Sequence, residues 1–138
     1  MTDMTELEYL ETETGEKPVG CVIWMHGLGA DASDFEPLVP MLPLNQPLRF
    51  VFPNAPIRPI TVNGGAEMRG WYDVDPSSSV VGGKDINESA EAIRVLVENE
   101  ITNGFKSSQI VLAGFSQGGV IALELGLCTD QKMAGILA

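Results

Sequence analysis

The sequence predicts an α/β fold, a mostly parallel sheet with helices on both faces, and three observations carry that expectation. Short apolar runs rich in β-branched residues, VGCVIWM, LRFVF and QIVLA, have the continuous character of strands covered on both sides. They alternate with segments of helical period, of which residues 85–104 are the clearest. One run, QIVLA, passes through the glycine-bracketed serine Gly114-Phe115-Ser116-Gln117-Gly118 straight into an apolar helix. The 138 residues fall within the size of one domain, at the short end for such a sheet, so 1–138 is read as a single domain.

The elements follow in order. In TELEYLETETGE, Leu7 and Tyr9 alternate with glutamates as in a half-exposed edge strand whose acids form a solvated face. Residues 19–25 make the first central strand, which ends in HGLGAD. Ser33 and Glu36 have the spacing of a capping box ahead of Phe35, Leu38, Val39 and Leu42, while Pro37 and Pro40 keep that helix short and irregular. LRFVF is a second buried strand, closed by PNAP.

Residues 53–85 concentrate turn chemistry, with Pro53, Pro56, Pro59, Asn63-Gly64-Gly65, Pro76 and Gly82-Gly83, and read as one long irregular loop carrying GWYD at 70–73. Residues 85–104 then put Ile86, Ala90, Ile93, Leu96, Val97 and Ile101 on one helical face, with Gly104 as the C′ glycine. QIVLA is a third buried strand, residues 117–129 a helix, and MAGILA the start of a further strand.

Charge and cysteine usage narrow the function classes. Eight Lys plus Arg against nineteen Asp plus Glu give a net charge of −11, which repels phosphate backbones and anionic headgroups, so nucleic acid and stable membrane insertion are not expected. Cys21, inside an apolar run, and Cys128, near a helix end, read as reduced structural thiols. With no basic and apolar leader pattern at MTDMTELEYL, a cytoplasmic protein is expected. One His with two distant Cys supplies no zinc site, and the glycines of VNGGAEMRG lack dinucleotide-loop spacing, so no metal or cofactor is expected.

The chemistry is expected at Ser116. Between a strand and an apolar helix, G-x-S-x-G describes a nucleophile elbow: the serine sits on a strained turn with its hydroxyl above the sheet, and Gly114 and Gly118 let the two elements approach. The backbone N–H of Gln117, at the helix start, then points where an oxyanion forms. Trp71 is open between a wall of the acyl groove and a ring packed on the sheet edge with its N–H satisfied locally. For Asp73 a role as a loop-ordering acceptor is set aside in favour of a bland local one, and His26, directly after a buried strand, reads as scaffold.

VIWMHGLGAD, FPNAP, ITVNGG, MRGWYD, AGFSQGGV and KMAGILA are together similar, in wording and order, to the motifs of the carboxylesterase and acyl-protein thioesterase family of α/β-hydrolases, also described as lysophospholipase-like. The resemblance covers nearly the whole chain. It implies an α/β-hydrolase sheet cut before its last strands, and a second oxyanion donor in HGLG, the backbone N–H of Leu28. It also implies a triad running Ser, then Asp or Glu, then His. Beyond Ser116 the sequence has Glu124, inside the following helix, Asp130 at its end, and no histidine, so the triad acid and base are expected to lie outside these residues.

Two functions are therefore expected to compete. One is a serine hydrolase of carboxylic esters or thioesters with short to medium acyl chains, working through an acyl-enzyme on Ser116 and inactive in the present chain alone. The other is a noncatalytic module that keeps the oxyanion pocket and binds acyl groups or a protein. The expected partners are a small-molecule, lipid or acyl-protein ester and, through an exposed apolar edge at MAGILA, a second copy of the chain.

Overall fold

A computed structural model describes residues 6–78 and 82–138. Its elements in chain order are β1 (Tyr9–Glu13), β2 (Cys21–Met25), a 3-10 helix (Glu36–Met41), β3 (Arg49–Pro53), β4 (Ile57–Ile60), β5 (Ala66–Arg69), α1 (Gly83–Thr102), β6 (Ile110–Gly114), α2 (Gln117–Cys128) and β7 (Gly135–Leu137). The main sheet has the order β1-β3-β2-β6-β7. Within this sheet, among the described residues, β1 pairs antiparallel with β3, while β2 runs parallel to β3 and β6, and β6 parallel to β7. As the glutamate alternation predicts, β1 is a largely exposed edge strand.

The two faces of the sheet are unequally covered. Cys21, Ile23, Met25, Val51, Ile110 and Leu112 pack against both α-helices, which contribute Ala90, Ile93, Leu96 and Val97 from α1 and Ile121, Ala122 and Leu125 from α2. The opposite face, with Phe50 and Phe52 buried and Val22 and Trp24 beside them, is covered by Ala32, Phe35, Val39 and Leu42 around the 3-10 helix. That thinner cover leaves an apolar groove of about 750 Å³ lined by Val22, Trp24, Phe35, Phe50, Val111 and Phe115 among others.

Two local expectations are corrected. The capping box does not form: the 3-10 helix is capped by Phe35 with no side-chain hydrogen bond, because Ser33 is engaged upstream, its N–H and hydroxyl both donating to the Asp31 carboxylate at 2.8 and 2.5 Å. Residues 53–85 are not one irregular loop either. Within them β4 and β5 pair antiparallel, with Pro59 opposite Glu67, and the chain reverses through Gly64 and Gly65 at φ 69° and 79°. Proline lowers the strand signal, yet it is tolerated in a two-stranded ribbon where a ladder N–H can be spared.

The hairpin is tied to α1 by charge and hydrogen bonding. Asp85, in the first turn of α1, pairs with Arg58 at 3.0 Å and accepts from the Asp73 N–H at 3.0 Å. At the other end of α1, Gly104 takes φ 115°, as expected for a C′ glycine, and the Phe105 N–H reaches back to the Glu100 carbonyl at 3.1 Å.

At the amino ends of the central strands, Arg49 donates to Glu100 at 2.7 Å and to Glu11 at 2.7 Å, with Glu13 at 3.4 Å. The buried Cys21 thiol donates to Glu100 at 3.6 Å. Burial, followed by the Glu100 charge, pushes that thiol far above its ordinary titration range. Cys21 is thus an inert structural thiol, whereas Cys128 is exposed.

Candidate active site

β6 ends at Gly114 and α2 begins at Gln117, so two residues must turn the chain from strand to helix. Ser116 takes the strain of that reversal at φ 57°, ψ −115°, a conformation costing on the order of 1–3 kcal/mol for a residue with a side chain. The turn is held by three backbone bonds: the Phe115 N–H to the Met25 carbonyl at 3.1 Å, Gly118 N–H to Phe115 carbonyl at 3.0 Å, and Gly119 N–H to Ser116 carbonyl at 3.0 Å. A Cβ at Gly114 would run into the Gly118 carbonyl group and lie 2.6 Å from the Gly119 nitrogen. At Gly118 it would run into the Met25 carbonyl and lie 2.6 Å from the His26 oxygen. Both motif glycines are therefore demanded by backbone packed on backbone, and Ser116 itself is exposed.

Because β2 and β6 are parallel neighbours with Met25 opposite Gly114, the loop after β2 emerges beside the elbow. His26 opens that loop and is only 1% exposed. Its Nε2 faces the Ala55 N–H at 3.0 Å and must accept there, so the ring proton sits on Nδ1, which donates to the Gly27 carbonyl at 2.7 Å. Burial holds the ring's pKa below the usual histidine value. Both nitrogens are committed to backbone groups, which leaves no lone pair for the Ser116 hydroxyl. The scaffold reading of His26 agrees with this geometry.

Trp71 lies in the core, fully buried. Its indole N–H donates to the His26 carbonyl at 2.8 Å, the two rings lie 5.3 Å apart, and its own carbonyl accepts from the Ser89 hydroxyl at 2.6 Å. Of the two roles open in the sequence, the packed ring is the nearer, though it sits in the core rather than at a sheet edge and its N–H is bonded 45 residues away rather than locally; a residue with no exposed surface does not line an open groove. Asp73 binds the Thr61 N–H and hydroxyl at 2.8 and 2.6 Å, and those bonds hold its carboxyl below the usual range. It orders the hairpin turn, so the loop-ordering role set aside in the sequence is the one the geometry supports.

Leu28 and Gln117 flank one point of the chain. A Cβ placed on Gly70 would lie 3.1 Å from Leu28 Cδ1 and 3.6 Å from Gln117 Oε1, so residues 70–72 are wedged between the loop after β2 and the elbow. The Gly29 N–H donates to the Arg69 carbonyl at 2.8 Å, anchoring the loop to the hairpin. Sequence reasoning missed the side chain of Gln117, which is 4% exposed and reaches the backbone of Trp71 and Tyr72. No local pattern signals a contact across some 45 residues. Among the described residues, no three His, Cys, Asp or Glu side chains converge to hold a metal ion, and no helix is long and apolar enough to cross a membrane.

Comparison with known proteins accords with this arrangement. Residues 8–138 match the phospholipase/carboxylesterase family model. The chain is 39% identical over 125 residues to acyl-protein thioesterase 1 of Saccharomyces cerevisiae, covering 85% of this chain and 55% of that one. It is 36% identical over 143 residues to acyl-protein thioesterase 1 of Mycosarcoma maydis, covering 94% and 60%. Among solved structures it is similar to Arabidopsis thaliana SOBER1, with a TM-score of 0.77 and 27% identity over 85% of this chain and 59% of that one. The chain thus spans less than two thirds of these relatives' length, and within that span its fold is that of an α/β-hydrolase. This chain belongs to the phospholipase/carboxylesterase family.

Proposed function

We propose that the chain carries the nucleophile and oxyanion-hole segments of a serine hydrolase that cleaves carboxylic esters or thioesters of short to medium acyl chains. The observation that carries this reading is the strained Ser116 between β6 and α2: a binding module gains nothing from that cost. In the reaction, Ser116 Oγ attacks the acyl carbonyl carbon, and the backbone N–H groups of Gln117 and Leu28 bind the oxygen as it becomes negative. The carbonyl re-forms as the alcohol or thiol leaves with a proton, and water then hydrolyses the acyl-enzyme. Trp71 acts here as support for the loop carrying Leu28. The base that relays the protons is a histidine outside these 138 residues, because His26 is the single one within them and is bonded at both nitrogens. We place the protein in the cytoplasm, with an ester or acyl-protein substrate, and infer that the apolar groove on the thinly covered face promotes self-association.

The test is hydrolysis of p-nitrophenyl butyrate and a butyryl thioester by the chain alone and after a segment supplying the triad acid and histidine is added in cis or as a second chain. Loss of a triad base costs on the order of 10⁶ in turnover, so the chain alone should show no measurable rate and the completed protein a Ser116-dependent one. Acyl-ligand binding that is identical in Ser116→Ala, with no activity on completion, would overturn the reading in favour of the noncatalytic module.

A further inference from the structure

We infer that the side-chain amide of Gln117 is a positioning group that locks the oxyanion loop at residues 26–29 in register with the nucleophile, an inference whose chemical consequence rests on the hydrolase reading above. Its Oε1 accepts from the Trp71 N–H at 2.7 Å and its Nε2 donates to the Tyr72 carbonyl at 2.7 Å. One side chain at the first position of α2 thereby holds two consecutive residues of a distant segment. The orientation of the amide is dictated by its partners, since only oxygen can face the peptide N–H and only nitrogen the carbonyl.

From that segment the path continues to the loop. The Trp71 indole donates to the His26 carbonyl at 2.8 Å, and Arg69, two residues before Trp71, accepts from the Gly29 N–H at 2.8 Å. Arg58 donates to the Gly70 carbonyl at 2.8 Å and fixes the segment from its outer side. The clamp therefore starts beside Ser116, crosses residues 69–72 and ends on both sides of Leu28. It couples the two backbone sites proposed to bind the oxyanion. Such donors must be held in place before charge develops, because reorganisation at that moment would cancel their benefit.

The side-chain chemistry is restrictive. Asn at 117 is a methylene too short to meet both partners, and Met keeps the length but leaves a buried N–H and a partly buried carbonyl without the amide. Trp71→Phe keeps the backbone N–H and carbonyl of this segment and removes the indole link to His26, which breaks the path at its far end, at the cost of some core packing.

Two measurements on the full 138-residue chain test the clamp. The first is hydrogen exchange read by mass spectrometry on residues 26–29, normalised within each sample to β2. Gln117→Met and Trp71→Phe should each raise the normalised exchange at least tenfold. The second is ¹¹B NMR with phenylboronic acid: Ser116 Oγ adds to boron, its proton is released to water, and the tetrahedral boronate oxygen occupies the oxyanion position. This equilibrium needs no catalytic base. Wild type should form the adduct, Ser116→Ala should not, and Gln117→Met should bind at least tenfold more weakly.

Unchanged exchange at 26–29 in both variants would overturn the clamp whatever the adduct does. Faster exchange together with undiminished boronate affinity would overturn its role in positioning the oxyanion donors. Faster exchange with no Ser116-dependent adduct in wild type would uphold the clamp while removing the hydrolase reading beneath it.

Discussion

At the amino ends of the central strands three carboxylates, Glu11, Glu13 and Glu100, gather around the single guanidinium of Arg49, whereas at the carboxyl ends His26, Trp71 and Gln117 bond to peptide groups and bring no formal charge. Both clusters are buried in part and both join segments far apart in sequence. The charged one joins β1, β3 and α1 through ion pairs that weaken once a partner is lost. The neutral one fixes backbone next to Ser116 without adding a side-chain charge there. The contrast shows a division of labour: an ion-pair network holds the amino ends of the strands, while at the carboxyl ends amide, imidazole and indole groups bond the backbone beside Ser116 and Arg58 braces that segment from its outer side.

The largest expected effect would break the neutral end. Gly118→Ala would place a Cβ against the Met25 carbonyl and 2.6 Å from the His26 oxygen, both backbone atoms at the end of β2 that cannot swing aside. A loss of about 4 kcal/mol or more is expected, enough to abolish cooperative folding, as read by thermal melting. A wild-type melt would show that the elbow packs less tightly than described.

The charged end should respond less and unevenly. Glu100→Ala leaves Arg49, whose side chain is 12% exposed, without its buried partner and should cost about 3 kcal/mol in urea unfolding. Glu11→Ala removes a partner that is 56% exposed and should cost under about 1 kcal/mol. Equal losses would mean that the network acts as one exposed surface.

The carboxyl-end loops also respond to pH, in two separate windows. The pKa of His26 is lowered in the folded chain, so the unfolded chain binds the extra proton first. Its contribution is complete above the unfolded value of about 6.5 and is lost as pH falls from there toward the folded value, at up to about 1.4 kcal/mol per pH unit. Asp31 and Asp73, whose pKa values are lowered by hydrogen bonds, lose their contributions in a more acidic window, as the unfolded carboxylates begin to protonate near pH 4. Chemical denaturation between pH 8 and pH 5 should show the His26 slope in wild type and not in His26→Gln.

What the sequence made legible follows from the range of each signal. Continuous apolar runs marked β2, β3 and β6, a 3.6-residue period marked α1, and the glycines around Ser116 marked the elbow, because each is decided by neighbours in the chain. The hairpin β4–β5 was hidden by Pro59, and the capping box was displaced by Asp31, two residues from Ser33. The groove on one face is a matter of how much chain covers it, which no local pattern encodes. Least visible was the Gln117–Trp71–His26 clamp, whose bonds span 45 and 46 residues; Trp71, a groove wall by one reading, turned out to be its buried middle.

The central proposal is that Ser116 is held in the geometry of a nucleophile while His26, bonded to backbone at both ring nitrogens, does not serve as its base. Labelling of the isolated chain by a fluorophosphonate, followed by intact mass with Ser116→Ala as control, tests this most directly. The predicted result is no labelling on the timescale that modifies a complete triad, a deficit on the order of 10⁶ in rate. Rapid labelling that disappears in Ser116→Ala would contradict it, and would require a base from His26 or from the histidine of another copy.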